Sequence, residues 1–234
     1  MSLSCVSCGK RGPSLFSDLP AHLLERLDQQ KSIHTYKSGQ IIFYQGSPSL
    51  AVYCVCEGHV KLYKSGSDGS EALLRLLGPG DVLGYRAVLS EEPYAASAEA
   101  LGDSKTCIIS KETFFEMFRA SPDFCAKVMA KLAVELRISE DEMVARIRDP
   151  VPRRIARMLL RLLSELGETG GEAGRMALPF PQRELALMIG TSPETLSRTL
   201  HSFVEDGVLA IEGRRVLIRD LHALEALAGE NPRS

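Results

Sequence analysis

Between Gln182 and Leu200 the chain carries a small residue, a glycine and two leucines at the intervals that a helix-turn-helix requires. Two helices that cross closely need a residue without bulk at the crossing, and Ala186 supplies it. The turn between them needs a residue tolerant of positive φ, and Gly190 supplies that four positions later. Ser192 is a good N-cap, and Pro193 suits the first position of the following helix. Leu196 and Leu200 then fall where the second helix must face the first.

The face left over decides the chemistry. Leu196, Leu200, Phe203 and Val204 are expected to point inward, so Glu194, Ser197, Arg198 and His201 form the opposite stripe. An Arg there can bond the O6/N7 edge of a guanine, and a Glu can accept from a cytosine amine, which implies double-stranded DNA as partner. The helix N-terminus and the hydroxyls of Thr191, Ser192 and Thr195 suit phosphate contacts, and Arg183 joins the same set. Taken alone, Glu194 and Arg198 also read as an i,i+4 ion pair on any helix surface. The runs Val208–Ile211 and Arg215–Ile218 around Gly213 favour the DNA reading, because they add a two-stranded hairpin, a wing.

Charge permits this reading without suggesting it. The whole chain carries a formal −2. Residues 150–219 hold ten Arg and eight Asp or Glu, so this segment is about +2 while the remainder is acidic. Its basic side chains are all Arg, which makes bidentate contacts to phosphate and guanine.

Upstream the texture changes twice. From Pro20 to about Ser110 glycines punctuate short β-prone runs, Gln40–Tyr44, Val52–Cys56, Val60–Tyr63 and Thr106–Ile109, which argues for a small barrel or jelly roll. Ser67-Asp68-Gly69 reads as a hairpin tip. From Ser121 to about Ile147 glycine is absent, and Cys125, Met129, Leu132, Leu136, Ser139 and Met143 alternate at spacings of four and three. That seam fits a helix pair between two copies of the chain, and also a long amphipathic helix lying on its own barrel. Asp149-Pro150-Val151-Pro152 breaks the helix. The expected organisation is an N-terminal arm (1–19), a β-roll (20–110), a helical region (111–148) and a winged helix-turn-helix (149–234), an α+β chain. No apolar run approaches a membrane span, and Met1–Cys5 lacks the features of a signal peptide, which predicts a cytoplasmic protein.

This order of β-roll, long helix and winged helix-turn-helix resembles the CRP/FNR family of bacterial transcription regulators, over nearly the whole chain from Leu15 to Leu227. The run Ser192-Pro193-Glu194-Thr195-Leu196-Ser197-Arg198 looks like the recognition helix of the FNR branch. The cyclic-AMP receptor branch has Gly where Ser197 stands and Arg where Pro193 stands; Pro193 departs from both. The resemblance implies Glu194, Ser197 and Arg198 as base readers, a half-site like TTGAT in an inverted repeat bound by a homodimer, and RNA polymerase as a further partner. It also makes Met129, Leu132, Leu136, Ser139 and Met143 the dimer interface.

For the roll, the resemblance implies a cyclic-nucleotide-binding fold and an effector pocket around Gly84, Tyr85, Arg86, Ala95 and Ala96. In the family a Glu holds the ribose and an Arg the cyclic phosphate; Tyr85 and Ala95 stand at those positions here. An alanine cannot neutralise a buried phosphate, which argues against cyclic AMP. Strand alternation is expected to aim Arg86 away from Tyr85. Members of the FNR branch hold a 4Fe–4S cluster on three N-terminal cysteines and one in the roll. Cys5, Cys8 and Cys107 match three of these, and Ser14 stands at the fourth. The Cys5-x-x-Cys8 pair also suits a zinc or thiol-redox role, and Cys107 also suits simple core packing; packing is the expected role of Cys54, Cys56 and Cys125. An enzyme of the cupin type would need a His-based metal set, and His22, His34, His59, His201 and His222 show no such spacing. A cyclic-nucleotide-binding or cupin-like module without DNA-binding function would need neither the recognition stripe nor the wing.

Overall fold

The computed structural model describes residues 14–66, 71–166, 174–178 and 181–229. The chain divides into two compact units, Met1–Arg137 and Ile138–Ser234. The expected hairpin tip at Ser67-Asp68-Gly69, and Cys5 and Cys8, lie outside the described residues.

The first unit runs α1 (Ala21–Gln30), β1 (Ser32–Tyr36), β2 (Ile41–Phe43), β3 (Ala51–Glu57), β4 (Val60–Ser65), β5 (Glu71–Leu77), β6 (Val82–Leu83), α2 (Tyr85–Ser90), β7 (Ser97–Ala100), β8 (Ser104–Ser110), α3 (Lys111–Ala120) and the start of α4 (Pro122–Arg148). Its strands form two antiparallel sheets, ordered β1-β8-β3-β6 and β2-β7-β4-β5. Three of the four β-prone runs lie within β3, β4 and β8, and the fourth, Gln40–Tyr44, contains β2; β1, β5, β6 and β7 are additional. Val55, Val60, Leu62, Leu83 and Ala98 fill one buried cluster, where the rings of Phe43 and Tyr94 stack at 4.0 Å between centroids. Neighbouring residues Val82 and Leu83 divide between this cluster and a second one, as the period of two requires. That second cluster joins Val52, Val82 and Ile109 to Leu24 and Leu27 of α1, Phe114 and Met117 of α3, and Phe124 and Val128 of α4. Leu15, Phe16 and Leu19, from the end of the expected N-terminal arm, are buried in it too.

α4 is amphipathic in two directions. Phe124, Val128 and Glu135 are buried and Leu132 packs against the roll cluster, whereas Met129, Leu136 and Met143 are 58%, 61% and 60% exposed at seven-residue intervals. The helix stops at Arg148 and α5 begins at Val151, so the break falls at Asp149-Pro150 as the proline chemistry requires.

The second unit continues from the end of α4 with α5 (Val151–Leu166), β9 (Arg175–Ala177), α6 (Gln182–Ile189), α7 (Pro193–Glu205), β10 (Leu209–Glu212), β11 (Arg215–Ile218) and α8 (Leu221–Ala228). Ile155, Leu159 and Leu162 of α5 are fully buried with Leu185, Leu196, Leu209 and Leu224. The wing has three strands in the order β10-β11-β9, one more than expected. β9 escaped notice because three residues carry too short a pattern. Gly174, entering it, has φ +106° and a backbone so near β11 that a Cβ would sit 2.7 Å from the Ile218 carbonyl oxygen. Only glycine fits there.

Candidate functional site

The geometry of α6 and α7 follows from the residues that define the pattern. Ala186 is fully buried. Gly190 closes α6 at φ +70°, and its N–H caps the carbonyls of Ala186 and Leu187. Ser192 Oγ accepts from the Thr195 N–H at 3.1 Å and so starts α7, with Pro193 in the first turn. The same Oγ donates to Thr195 Oγ1 at 3.1 Å, and Arg198 Nη2 reaches that oxygen at 3.5 Å. The hydroxyls of Ser192 and Thr195 therefore spend part of their bonding capacity inside the helix start.

Leu196, Leu200 and Phe203 are buried under α7. Val204, expected beside them, is 38% exposed, because it follows Phe203 by one residue and so turns 100° away from it. Glu194, Ser197, Arg198 and His201 all face solvent on the other side, and His201 Nε2 lies 3.4 Å from Glu205. Hydrogen bonding to its own helix-start N–H, with help from Ser192 and the Arg198 charge, holds the Glu194 carboxyl below its ordinary range. It is therefore an acceptor at neutral pH. Arg183 is exposed on α6, while Thr191 is partly buried and its N–H bonds the Ala186 carbonyl at 3.0 Å.

The C-terminus of α7 runs straight into the wing: the Val208 N–H donates to Phe203 O, and the Arg219 N–H to Val208 O, both at 2.9 Å. Arg214 and Arg215 at the hairpin end, and Arg219 beyond it, are exposed. Sequence reasoning did not single out these three arginines. Their signal was the Gly213-Arg214-Arg215 turn, which places basic side chains at a hairpin tip.

In the first unit the expected effector residues differ in exposure. Gly84 has φ +84° and packs its backbone against Ala51 and Tyr94, Ala95 is exposed, and Ala96 is buried. Tyr85 and Arg86 lie on α2 and not on a strand, so alternation does not separate them; both side chains approach Glu135 of α4. Glu135 Oε1 lies 2.6 Å from Arg75 and 3.8 Å from Lys131, and its Oε2 is 4.0 Å from Arg86. The Tyr85 phenol faces the same carboxylate without closing a hydrogen bond, and burial, reinforced by Glu135, pushes its pKa upward. An internal carboxylate thus holds the basic groups of this region, a role nothing in the local sequence announced.

Cys107 on β8 is buried, with its Sγ 3.0 Å from that of Cys56 on β3. The contact with Cys107, opposed by burial and aided by Lys31, lowers the Cys56 thiol to about 7, while Cys107 is driven upward. Ser14 is buried as well, and its Oγ accepts from the Phe16 N–H at 3.0 Å. Among the described residues no three His, Cys, Asp or Glu side chains converge to hold a metal ion, so these residues alone do not supply the ligands of a cluster. No helix among them is long and apolar enough to cross a membrane.

The chain is similar to known proteins in both units. The model of the cyclic nucleotide-binding domain matches residues 33–121, and that of the Crp-like helix-turn-helix domain matches residues 153–227. The "Cyclic AMP receptor protein" of Thermus thermophilus is 32% identical over 219 residues, covering 93% of this chain and 98% of that protein. The "Transcriptional activator protein FnrA" of Stutzerimonas stutzeri is 27% identical, covering 96% and 92%. Among solved structures, FixK2 from Bradyrhizobium japonicum superposes with a TM-score of 0.77 at 28% identity, over 87% of this chain and 99% of that one.

Proposed function

The chain belongs to the CRP/FNR family of transcription regulators, and we propose that it acts as a cytoplasmic homodimer on an inverted repeat of TTGAT-like half-sites, with Glu194, Ser197 and Arg198 at the base edges. The observation that carries this is the division of α7: one face is buried, and the opposite face exposes an acceptor, a hydroxyl and a guanidinium at spacings of three and four. Those groups match the hydrogen-bonding edges of the major groove. Arg183, Arg214 and Arg215 contact phosphates in this reading, with the α7 N-terminus and Thr191. The exposed Met129, Leu136 and Met143, with Ser139, supply the dimer seam, and Leu132 serves the roll instead. Two-fold symmetry then sets two recognition helices about one turn of DNA apart, roughly 34 Å.

Cyclic AMP is not the signal in this reading. Ala95 offers no charge for a cyclic phosphate, and Arg75, Arg86 and Lys131 are turned toward Glu135. A different small molecule or a redox change in the roll shifts the dimer between states of different operator affinity, and the bound dimer acts on RNA polymerase.

Titrating a TTGAT palindrome and its scrambled counterpart across a salt series tests the proposal. A preference of about 10³-fold or more for the palindrome, persisting as salt weakens both, is expected. Equal affinities would overturn it.

A further inference from the structure

The contact between Cys56 and Cys107 is built by a defect in the sheet. β3 and β8 pair with Cys54 opposite Cys107 and Val55 opposite Thr106; then the register slips, and Glu57 faces Lys105. Cys56 is the extra residue of that bulge. A bulge bends the strand and re-aims its side chain, so Cys56 reaches Cys107 although Cys54 stands directly across from it. The sulfurs are 3.0 Å apart, about 1 Å more than an S–S bond of roughly 2.05 Å. Both are free thiols, and both residues are buried, at 5% and 7% exposure. Side-chain adjustment alone closes a gap of that size, and burial limits the reagent to something small.

We propose that Cys56 and Cys107 form a redox-active dithiol that closes reversibly to a disulfide within the β-roll, with a hydroperoxide as oxidant. In the first step one thiol attacks the peroxide, its sulfur becoming a sulfenic acid as the O–O bond breaks and water leaves. The second sulfur then displaces hydroxide from the sulfenic sulfur, which leaves as water with that thiol's proton. In sum the two thiols give up two electrons and two protons, and hydrogen peroxide becomes two waters. A dithiol reductant reverses the change by exchange through a mixed disulfide. Closure ties β3 to β8 at the bulge, in the middle of the β1-β8-β3-β6 sheet. The chemistry is independent of the DNA reading, since it needs only these two strands.

The test is to treat the full-length protein with a slight excess of hydrogen peroxide, alkylate it in denaturant and map its peptides by mass. The Cys54→Ser variant is used beside the natural chain, because Cys54 and Cys56 share a tryptic peptide. The expected result is a Cys56–Cys107 cross-linked peptide, two fewer alkylatable thiols per chain, and recovery of both with dithiothreitol. Cys107→Ser abolishes the cross-link. The proposal is overturned if Cys107 is found joined to Cys5 or Cys8, or if both thiols are still alkylated under conditions that oxidise Cys125. It is overturned too if the purified protein shows a visible metal–sulfur absorption that Cys107→Ser removes. The assay reads sulfur alone, so loss of the operator preference leaves its outcome unchanged.

Discussion

Arg75 on β5 and Glu135 on α4 meet at 2.6 Å, with the Glu135 side chain 11% exposed and that of Arg75 25% exposed. The pair fastens the helix that carries the exposed apolar stripe to the roll. Glu135→Gln keeps the shape and removes the charge, leaving Arg75, Arg86 and Lys131 without their shared partner. A loss of about 1–3 kcal/mol in stability is expected, between the values for surface and buried pairs. Urea unfolding followed by far-ultraviolet circular dichroism measures it. Replacing both partners with apolar residues, Arg75→Met with Glu135→Leu, is expected to recover part of the loss.

The two kinds of arginine in the second unit separate by what they change. Arg198→Met on α7 is expected to cost about 1–3 kcal/mol of binding to the palindrome and to relax discrimination at one base pair. Arg215→Ala at the wing is expected to weaken palindrome and scrambled DNA alike, and to reduce the slope of log K against log salt by about one. Fluorescence anisotropy over a salt series distinguishes them. If Arg198→Met weakened both sequences equally, its assignment to a base edge would be wrong.

Leu136→Glu places a charge in the middle of the exposed stripe without touching the roll cluster. Sedimentation velocity is expected to show a monomer where the natural chain sediments as a dimer. Operator affinity is expected to fall with it, because two half-sites no longer act together. Wild-type affinity in this variant contradicts the dimer reading.

Gly174 and Gly190 both have positive φ, but they differ in what a methyl group would meet. At Gly190 nothing lies within 4 Å of the added Cβ, so Gly190→Ala carries only the backbone cost, roughly 1–2 kcal/mol. At Gly174 the Cβ would lie 2.7 Å from the Ile218 carbonyl oxygen, so Gly174→Ala must also force β9 from β11. The larger drop in melting temperature is expected for Gly174→Ala, measured by differential scanning calorimetry on both variants.

The helix-turn-helix was legible in the sequence almost residue by residue, and the reason is that its determinants are local. The Ser192 cap, the Pro193 start, the Gly190 turn and the three- and four-residue spacing of Leu196, Leu200 and the exposed stripe all act within one or two helical turns. The break at Asp149-Pro150 is of the same kind. What depended on chain segments far apart was not legible. Arg75, Arg86 and Glu135 belong to a strand, a short helix and a long helix, and only tertiary packing makes the Glu135 carboxylate the partner of the other two. Leu132 and Leu136 look alike in the seam, yet the roll takes one and leaves the other in solvent. Cys56 and Cys107 are 51 residues apart, and the slip in register between β3 and β8 decides which of two alternating cysteines meets Cys107. Local spacing determines which groups a helix presents, whereas pairing register and packing determine which buried groups find one another.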